Sequence, residues 1–226
     1  PFEQAFYRDH GMEVVYTGHP LLDALRPWHE QPPARSENLV VLMPGSRKQE
    51  IQRILPVMLA VTPFFPATRF AVAGASHLAS SFYAPFLEKF PAVTLVIGNT
   101  HHLLATAQAA LVKSGTSTLE AALLDTPQVV CYKGNYLSYQ IARRVIQVPY
   151  ISLVNLILDT PLVRELIQHD LHADNLRTAL QEILEPRQAG LIREGYARLR
   201  MLLGNGNASQ EAARVILECV ENVPLL

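Results

Sequence analysis

"LVVLMPGSRKQEIQRIL", residues 39–55, sets the frame for the rest of the chain. Five apolar residues, Leu39 to Met43, give way at Pro44-Gly45 to a serine and two cations, and a helical pattern follows at once. A short, continuously apolar run bounded by a turn dipeptide is a strand covered on both faces. The next helix opens with Arg47 and Lys48, where the macrodipole is already positive and cations are mildly unfavourable. Ser46 with Gln49 fits the S-x-x-Q capping pattern, so a capped helix with solvated cations is one explanation. A diphosphate held by backbone N–H groups at the helix start, with Arg47 as a bidentate clamp, is the other.

The same alternation continues outward. Apolar runs predict strands at 39–43, 69–73, 92–97, 109–112, 128–132 and 149–153. Helical patterns lie between them at 48–61, 78–89, 101–108, 117–124, 137–146 and 161–169. From about 173 to 222 the pattern is helical only, broken near Pro186 and at "GNGNAS" (204–209). Upstream come helix-like "FEQAFYRDHG", a short strand "EVVYTG" and "HPLLDAL", then the proline-rich "PWHEQPPARSEN" (27–38), which reads as a linker. The expected fold is α/β, a doubly wound parallel six-stranded sheet with a helical C-terminal tail. Its divisions are 1–38, 39–170 and 171–226. Ligands of such sheets bind outside the carboxyl ends of the strands.

Composition narrows the class. The 226 residues are 49% hydrophobic and 17% charged with net charge −1, enough for one good core and without the basic excess of a nucleic-acid binder. Cys131 and Cys219 make no disulfide framework and suit a reducing compartment; Cys131 reads as a small buried hydrophobe. The greasiest stretch, 54–67, is cut by Pro56, Pro63 and Pro66, and no apolar run reaches the ~18 residues of a membrane span. The chain opens at Pro1 directly into a helical pattern, as a piece of a longer protein would.

After the fourth strand comes "KSGTSTLEAAL" (113–123). Gly115 lets backbone approach a ligand, and Ser114, Thr116, Ser117 and Thr118 offer hydroxyls and N–H groups. Glu120 either closes a capping box with Ser117 or accepts hydrogen bonds from the vicinal hydroxyls of a ribose. Asn99 to His102 follow the third strand. Adjacent histidines point apart on a helix, so stacking or solvent suits His101-His102 better than metal. Arg143-Arg144 is a solvated pair or a contact for an anionic membrane surface.

Taken in order, "MPGSRKQEI", "LVKSGTSTLEAALLDTPQVVCYK", "VPYISLVNLI", "LVRELIQ" and "NASQEAARVIL" resemble the lipid-A-disaccharide synthase family. "PFEQAFYRDHGMEVVYTGHPLLDAL" is similar to the passage joining that family's two Rossmann-like halves. The resemblance implies a GT-B glycosyltransferase, inverting and metal-independent, with no cofactor. It joins UDP-2,3-diacylglucosamine to 2,3-diacylglucosamine 1-phosphate in bacterial lipid A (lipopolysaccharide) biosynthesis and releases UDP. On it, 1–38 is the end of the N-terminal half with the linker, and 39–170 is the UDP-sugar-binding domain.

It also implies site residues. Gly45, Ser46 and Arg47 form a first phosphate loop, with Arg47 stabilising the leaving group, and Ser114, Gly115, Thr116 and Ser117 form a second. Glu120 takes the ribose, Asn99 lies by the base, and Asn155 contributes to the substrate; Glu165 and Gln168, three apart on one helix face, either do the same or form an exposed polar face. The implied partners are the missing N-terminal half, which holds the general base, and the inner-membrane surface, met peripherally from the cytoplasm. A homodimer stays open, and the fragment alone is expected to be inactive. Another UDP-sugar enzyme of the GT-B type, such as the muramyl-lipid glycosyltransferase or a UDP-sugar 2-epimerase, is the alternative. A non-catalytic nucleotide-binding module is the third.

Overall fold

The computed structural model describes residues 2–134, 149–204 and 206–221. Three short helices come first: α1 (Phe2–Asp9), α2 (Pro20–Ala24) and α3 (Arg26–Glu30). Then β1 (Leu39–Met43), α4 (Lys48–Leu59), β2 (Arg69–Gly74), α5 (Ser80–Leu87), β3 (Val93–Ile97) and α6 (Thr100–Thr106) alternate. The second half runs β4 (Ala109–Lys113), α7 (Thr116–Leu123), β5 (Gln128–Tyr132), α8 (Leu153–Leu158) and β6 (Glu165–Ile167). Helices α9 (Ala173–Leu184), α10 (Pro186–Leu203) and α11 (Ala208–Glu221) follow.

The strands form one sheet in the order β3-β2-β1-β4-β5-β6, and every neighbouring pair is parallel. β1 and β4 are in register from Val40 opposite Ala109 to Met43 opposite Val112. From that pair the chain winds outward in opposite directions, so a crevice opens at the carboxyl ends of β1 and β4.

Both faces are covered, which is why the central strands carry no polar alternation. Val40, Val41 and Leu42 are fully buried, as are Ala110, Leu111 and Val112 on the neighbouring strand. Helix α4 buries Ile51, Ile54, Leu55 and Met58, a stripe at helical spacing. Each such side chain contributes about 1.5–3 kcal/mol when fully buried. Helices α9 and α10 share this core, whereas Ile216, Leu217 and Val220 of α11 are exposed. Leu176, Leu180 and Ile183 of α9, and Tyr196, Leu199 and Leu203 of α10, are buried in it. One buried amide ties the layers together: Gln128 Nε2 donates to Thr118 O at 2.9 Å and to Tyr196 Oη at 3.1 Å, and that hydroxyl donates to Thr126 O at 3.2 Å, while Gln128 Oε1 has no partner among the described residues.

Several local expectations are corrected. Residues 12–19 form no strand; Met12, Val14 and Val15 are exposed and pair with no strand of the sheet. Residues 149–153 are not the sixth strand either. Ser152 is the N-cap of α8, its hydroxyl accepting from Asn155 N at 3.2 Å. The sixth strand is Glu165–Ile167, inside the expected helix 161–169, and it pairs with β5 from Val130 opposite Glu165. Glu165 and Gln168 therefore share no helix face, since Gln168 opens a one-turn 3₁₀ helix with φ +53°. Both capping boxes also shift. Helix α4 is capped at Arg47, not Ser46, and Glu50 Oε2 accepts from Arg47 N at 3.5 Å. Helix α7 is capped at Gly115, so Ser117 lies within it and makes no box with Glu120. The expected helix 137–146, with Arg143-Arg144, lies outside the described residues.

Candidate functional site

A cleft of about 750 Å3 opens at the carboxyl ends of β2, β1 and β4. Two helix starts, α4 and α7, face it, bringing unpaired backbone N–H groups and the positive ends of two dipoles to one place. Gly45, Ser46 and Arg47 line it from the first loop, and Ser114, Gly115, Thr116 and Ser117 from the second. Asn99 and Glu120 complete the set of expected residues that the structure gathers here.

Local geometry explains the loop sequences. Gly45 has φ +112°, and a Cβ there would lie 2.7 Å from Glu50 Oε2, so the turn requires glycine. Gly115 has φ +151° and directs the chain straight into α7. Ser114 donates its hydroxyl to Ile151 O at 2.8 Å and thereby ties the second loop to the segment before α8. Thr118 donates to Gly115 O at 2.8 Å and closes the first turn of α7. The Arg47 side chain is 84% exposed and, among the described residues, makes only a long ion pair, 3.6 Å to Glu50 Oε1, so it is available to a ligand.

Sequence reasoning did not single out Glu50, Lys113 or Trp28, which also line the cleft. Lys113, the last residue of β4, places its ammonium 3.0 Å from Glu50 Oε1. Glu50 Oε1 is thus shared by two cations, Arg47 and Lys113. Trp28, from the expected linker, lies on α3 with its ring 5.8 Å from that of His102. The segment 27–38 had the signal of a loop, and nothing in its composition marks an aromatic wall.

Glu120 has a partner that was not foreseen. His101 Nε2 lies 3.2 Å from Glu120 Oε1. This hydrogen bond raises the His101 pKa, burial opposes it, and the Glu120 charge adds to the rise. A raised folded pKa contributes stability fully present below the ordinary value of 6.5 and lost as pH rises through the higher folded value. The melting-temperature difference between the wild type and His101→Gln is therefore expected to shrink as pH is taken from about 6 to about 8.5. A constant difference would show that the pair makes no charged contact.

Asn155, Glu165 and Gln168 are not in the cleft lining. Asn155 is buried; its Nδ2 donates to Val163 O at 2.8 Å and Glu165 Oε1 at 2.9 Å, and its Oδ1 accepts from Val163 N at 3.0 Å. Glu165 also accepts from Ile151 N at 2.9 Å and Ser152 N at 3.0 Å. Gln168 is buried, with its Nε2 unpartnered. The first two work as a clamp holding α8 to β6. Cys131 is fully buried, and burial pushes its thiol far up from the ordinary value. Among the described residues no three His, Cys, Asp or Glu side chains gather as a metal site, and no helix is long and apolar enough to cross a membrane.

A six-stranded parallel sheet with two helix starts meeting at the reversal of strand order defines the Rossmann-like class of α/β domain and is consistent with the C-terminal domain of a GT-B-type protein. The chain belongs to the lipid-A-disaccharide synthetase family, whose family model matches residues 1–219. It is 36% identical over 239 residues to the lipid-A-disaccharide synthase of Syntrophus aciditrophicus, covering 98% of this chain and 61% of that protein. It is 34% identical over 231 residues to the Geobacter sulfurreducens synthase, covering 96% and 60%. The chain thus spans about 60% of the length of these curated relatives.

Among solved structures, the S. aureus MnaA–UDP co-structure is similar with TM-score 0.58 at 14% identity, over 94% of this chain and 56% of that one. The Neisseria meningitidis UDP-GlcNAc 2-epimerase bound to UDP-GlcNAc gives TM-score 0.57 at 16% identity, over 91% and 55%. At such identities the likeness is one of fold.

Proposed function

We propose that this chain is the donor-binding half of a lipid-A-disaccharide synthase. That enzyme is an inverting, metal-independent hexosyltransferase that moves 2,3-diacylglucosamine from its UDP derivative to 2,3-diacylglucosamine 1-phosphate and releases UDP. The observation that carries the reading is the convergence of two helix starts on one cleft with the Arg47 side chain exposed at its rim. The diphosphate takes the N–H groups around Ser46–Lys48 and Thr116–Ser117. Arg47 adds a charge-assisted bond that strengthens as charge develops on the leaving UDP. The ribose hydroxyls donate to the Glu120 oxygens, and the base lies along Asn99 and Thr100. The His101 contact holds the Glu120 carboxylate in place for this.

The general base and the acceptor groove are assigned to the part of the relatives' length that this chain does not span. A diacylated acceptor must be met at a membrane surface, and we place that contact on the inner face of the inner membrane, reached peripherally from the cytoplasm. Positioning the acceptor hydroxyl in line supplies several kcal/mol of the barrier, and we assign that step, with the general base, to the missing part. The 226-residue chain is therefore expected to bind UDP and the UDP-sugar by calorimetry and to form no disaccharide with radiolabelled acceptor in detergent micelles. Absence of heat with UDP would overturn the donor site. Robust disaccharide formation by the chain alone would overturn the division of labour.

A further inference from the structure

A second cleft, of about 490 Å3, opens on the other side of Arg47, between the first turns of α4 and the end of β5. It shares Arg47, Glu50 and Lys113 with the first. Five cations line it, Arg47, Lys48, Arg53, Lys113 and Lys133, against the single carboxylate of Glu50. That carboxylate is already committed, at 3.0 Å to Lys113 and 3.6 Å to Arg47. Lys48 leans over the Phe82 ring, 5.8 Å from its centroid. Arg53 and Lys133 make no hydrogen bond or ion pair among the described residues.

So much positive charge gathered in one concavity, beside a helix start of the same sign, is unfavourable without an anion. The donor's diphosphate does not account for it, because that group is matched by the two helix starts and Arg47 in the first cleft. The walls shared between the clefts would leave a second anion next to the diphosphate, with Arg47 and Lys113 between them.

We infer that this second cleft is a subsite for a phosphate monoester, the phosphate carried by the acceptor sugar, held chiefly by Arg53 and Lys133. The assignment to an acceptor rests on the donor-site reading above. Bidentate guanidinium and point-charge ammonium groups are the pair suited to a dianionic phosphate. Such a contact would fix the phosphorylated end of the acceptor against the donor half and select a sugar 1-phosphate over a neutral sugar.

The test titrates glucosamine 1-phosphate into the chain saturated with UDP. Binding is expected, with glucosamine itself giving no heat. In Arg53→Ala/Lys133→Ala the affinity for the sugar phosphate is expected to fall by about tenfold or more, the loss of at least one charge-assisted hydrogen bond. UDP affinity should be unchanged in that variant and serves as the check that it is folded. Competition between glucosamine 1-phosphate and UDP for one site would overturn the inference, as would an unchanged affinity in the double variant. The same phosphate chemistry could come from a lipid headgroup, so phosphatidylglycerol vesicles form a second arm. Vesicle binding that depends on Arg53 and Lys133, with no binding of the sugar phosphate, would overturn the acceptor assignment. Sugar-phosphate binding that persists where UDP gives no heat would instead count against the donor site and leave this subsite standing.

Discussion

Arg47→Ala is expected to weaken UDP binding by roughly 10- to 100-fold, the value of one charge-assisted hydrogen bond of about 1.5–3 kcal/mol, and to leave uridine binding unchanged. The guanidinium is exposed, and its contact with Glu50 is long, so its removal costs the fold little. Glu50 keeps Lys113 as a partner at 3.0 Å, so no carboxylate is stranded. Uridine has no phosphate for Arg47 to reach. Equal losses for UDP and uridine would mean that Arg47 shapes the loop and does not hold the diphosphate. Calorimetric titration with the two ligands separates these outcomes.

Asn155→Leu is expected to act on the other side of the ledger, on stability. Asn155 is 1% exposed and satisfies both backbone groups of Val163 as well as Glu165. An apolar side chain of similar size leaves at least two buried polar groups unpaired, at about 1–3 kcal/mol each. A loss of about 3 kcal/mol or more follows, a large fraction of an ordinary domain's stability. It should appear as a lower urea midpoint with an unchanged slope. A variant of full stability with weakened UDP-sugar binding would return Asn155 to the role of a substrate ligand and remove the structural clamp.

These two residues also show what was legible in the chain. The loop at Arg47 could be read because its signals are local. A buried strand, a turn dipeptide and a helix start follow one another within "LVVLMPGSRKQEI". The first five strands were legible for the same reason; each is a short apolar run between turn residues, and each matches within a residue or so. The sixth was not. "PYISL" has the β-branched, apolar look of a strand, but Ser152 caps a helix there. The real edge strand, Glu165–Ile167, is three residues long and gains its conformation from β5, a partner that no local pattern records.

The Lys113–Glu50 pair escaped for a related reason. Each residue looked like part of a loop or a first helical turn, and only the adjacency of β1 and β4 brings them to 3.0 Å. The same holds for His101 and Glu120, which lie on two different helices. Capping patterns misled twice by one or two positions. Serine, glycine and arginine all stand near the helix starts, and backbone dihedrals decide among them.

The most direct test is the structure of this chain determined with UDP bound. The expected result has the diphosphate between the starts of α4 and α7, within hydrogen-bond reach of Arg47, and the ribose hydroxyls on Glu120. UDP bound away from the crevice between β1 and β4, or with its phosphates turned from both helix starts, would contradict the donor site proposed for this chain.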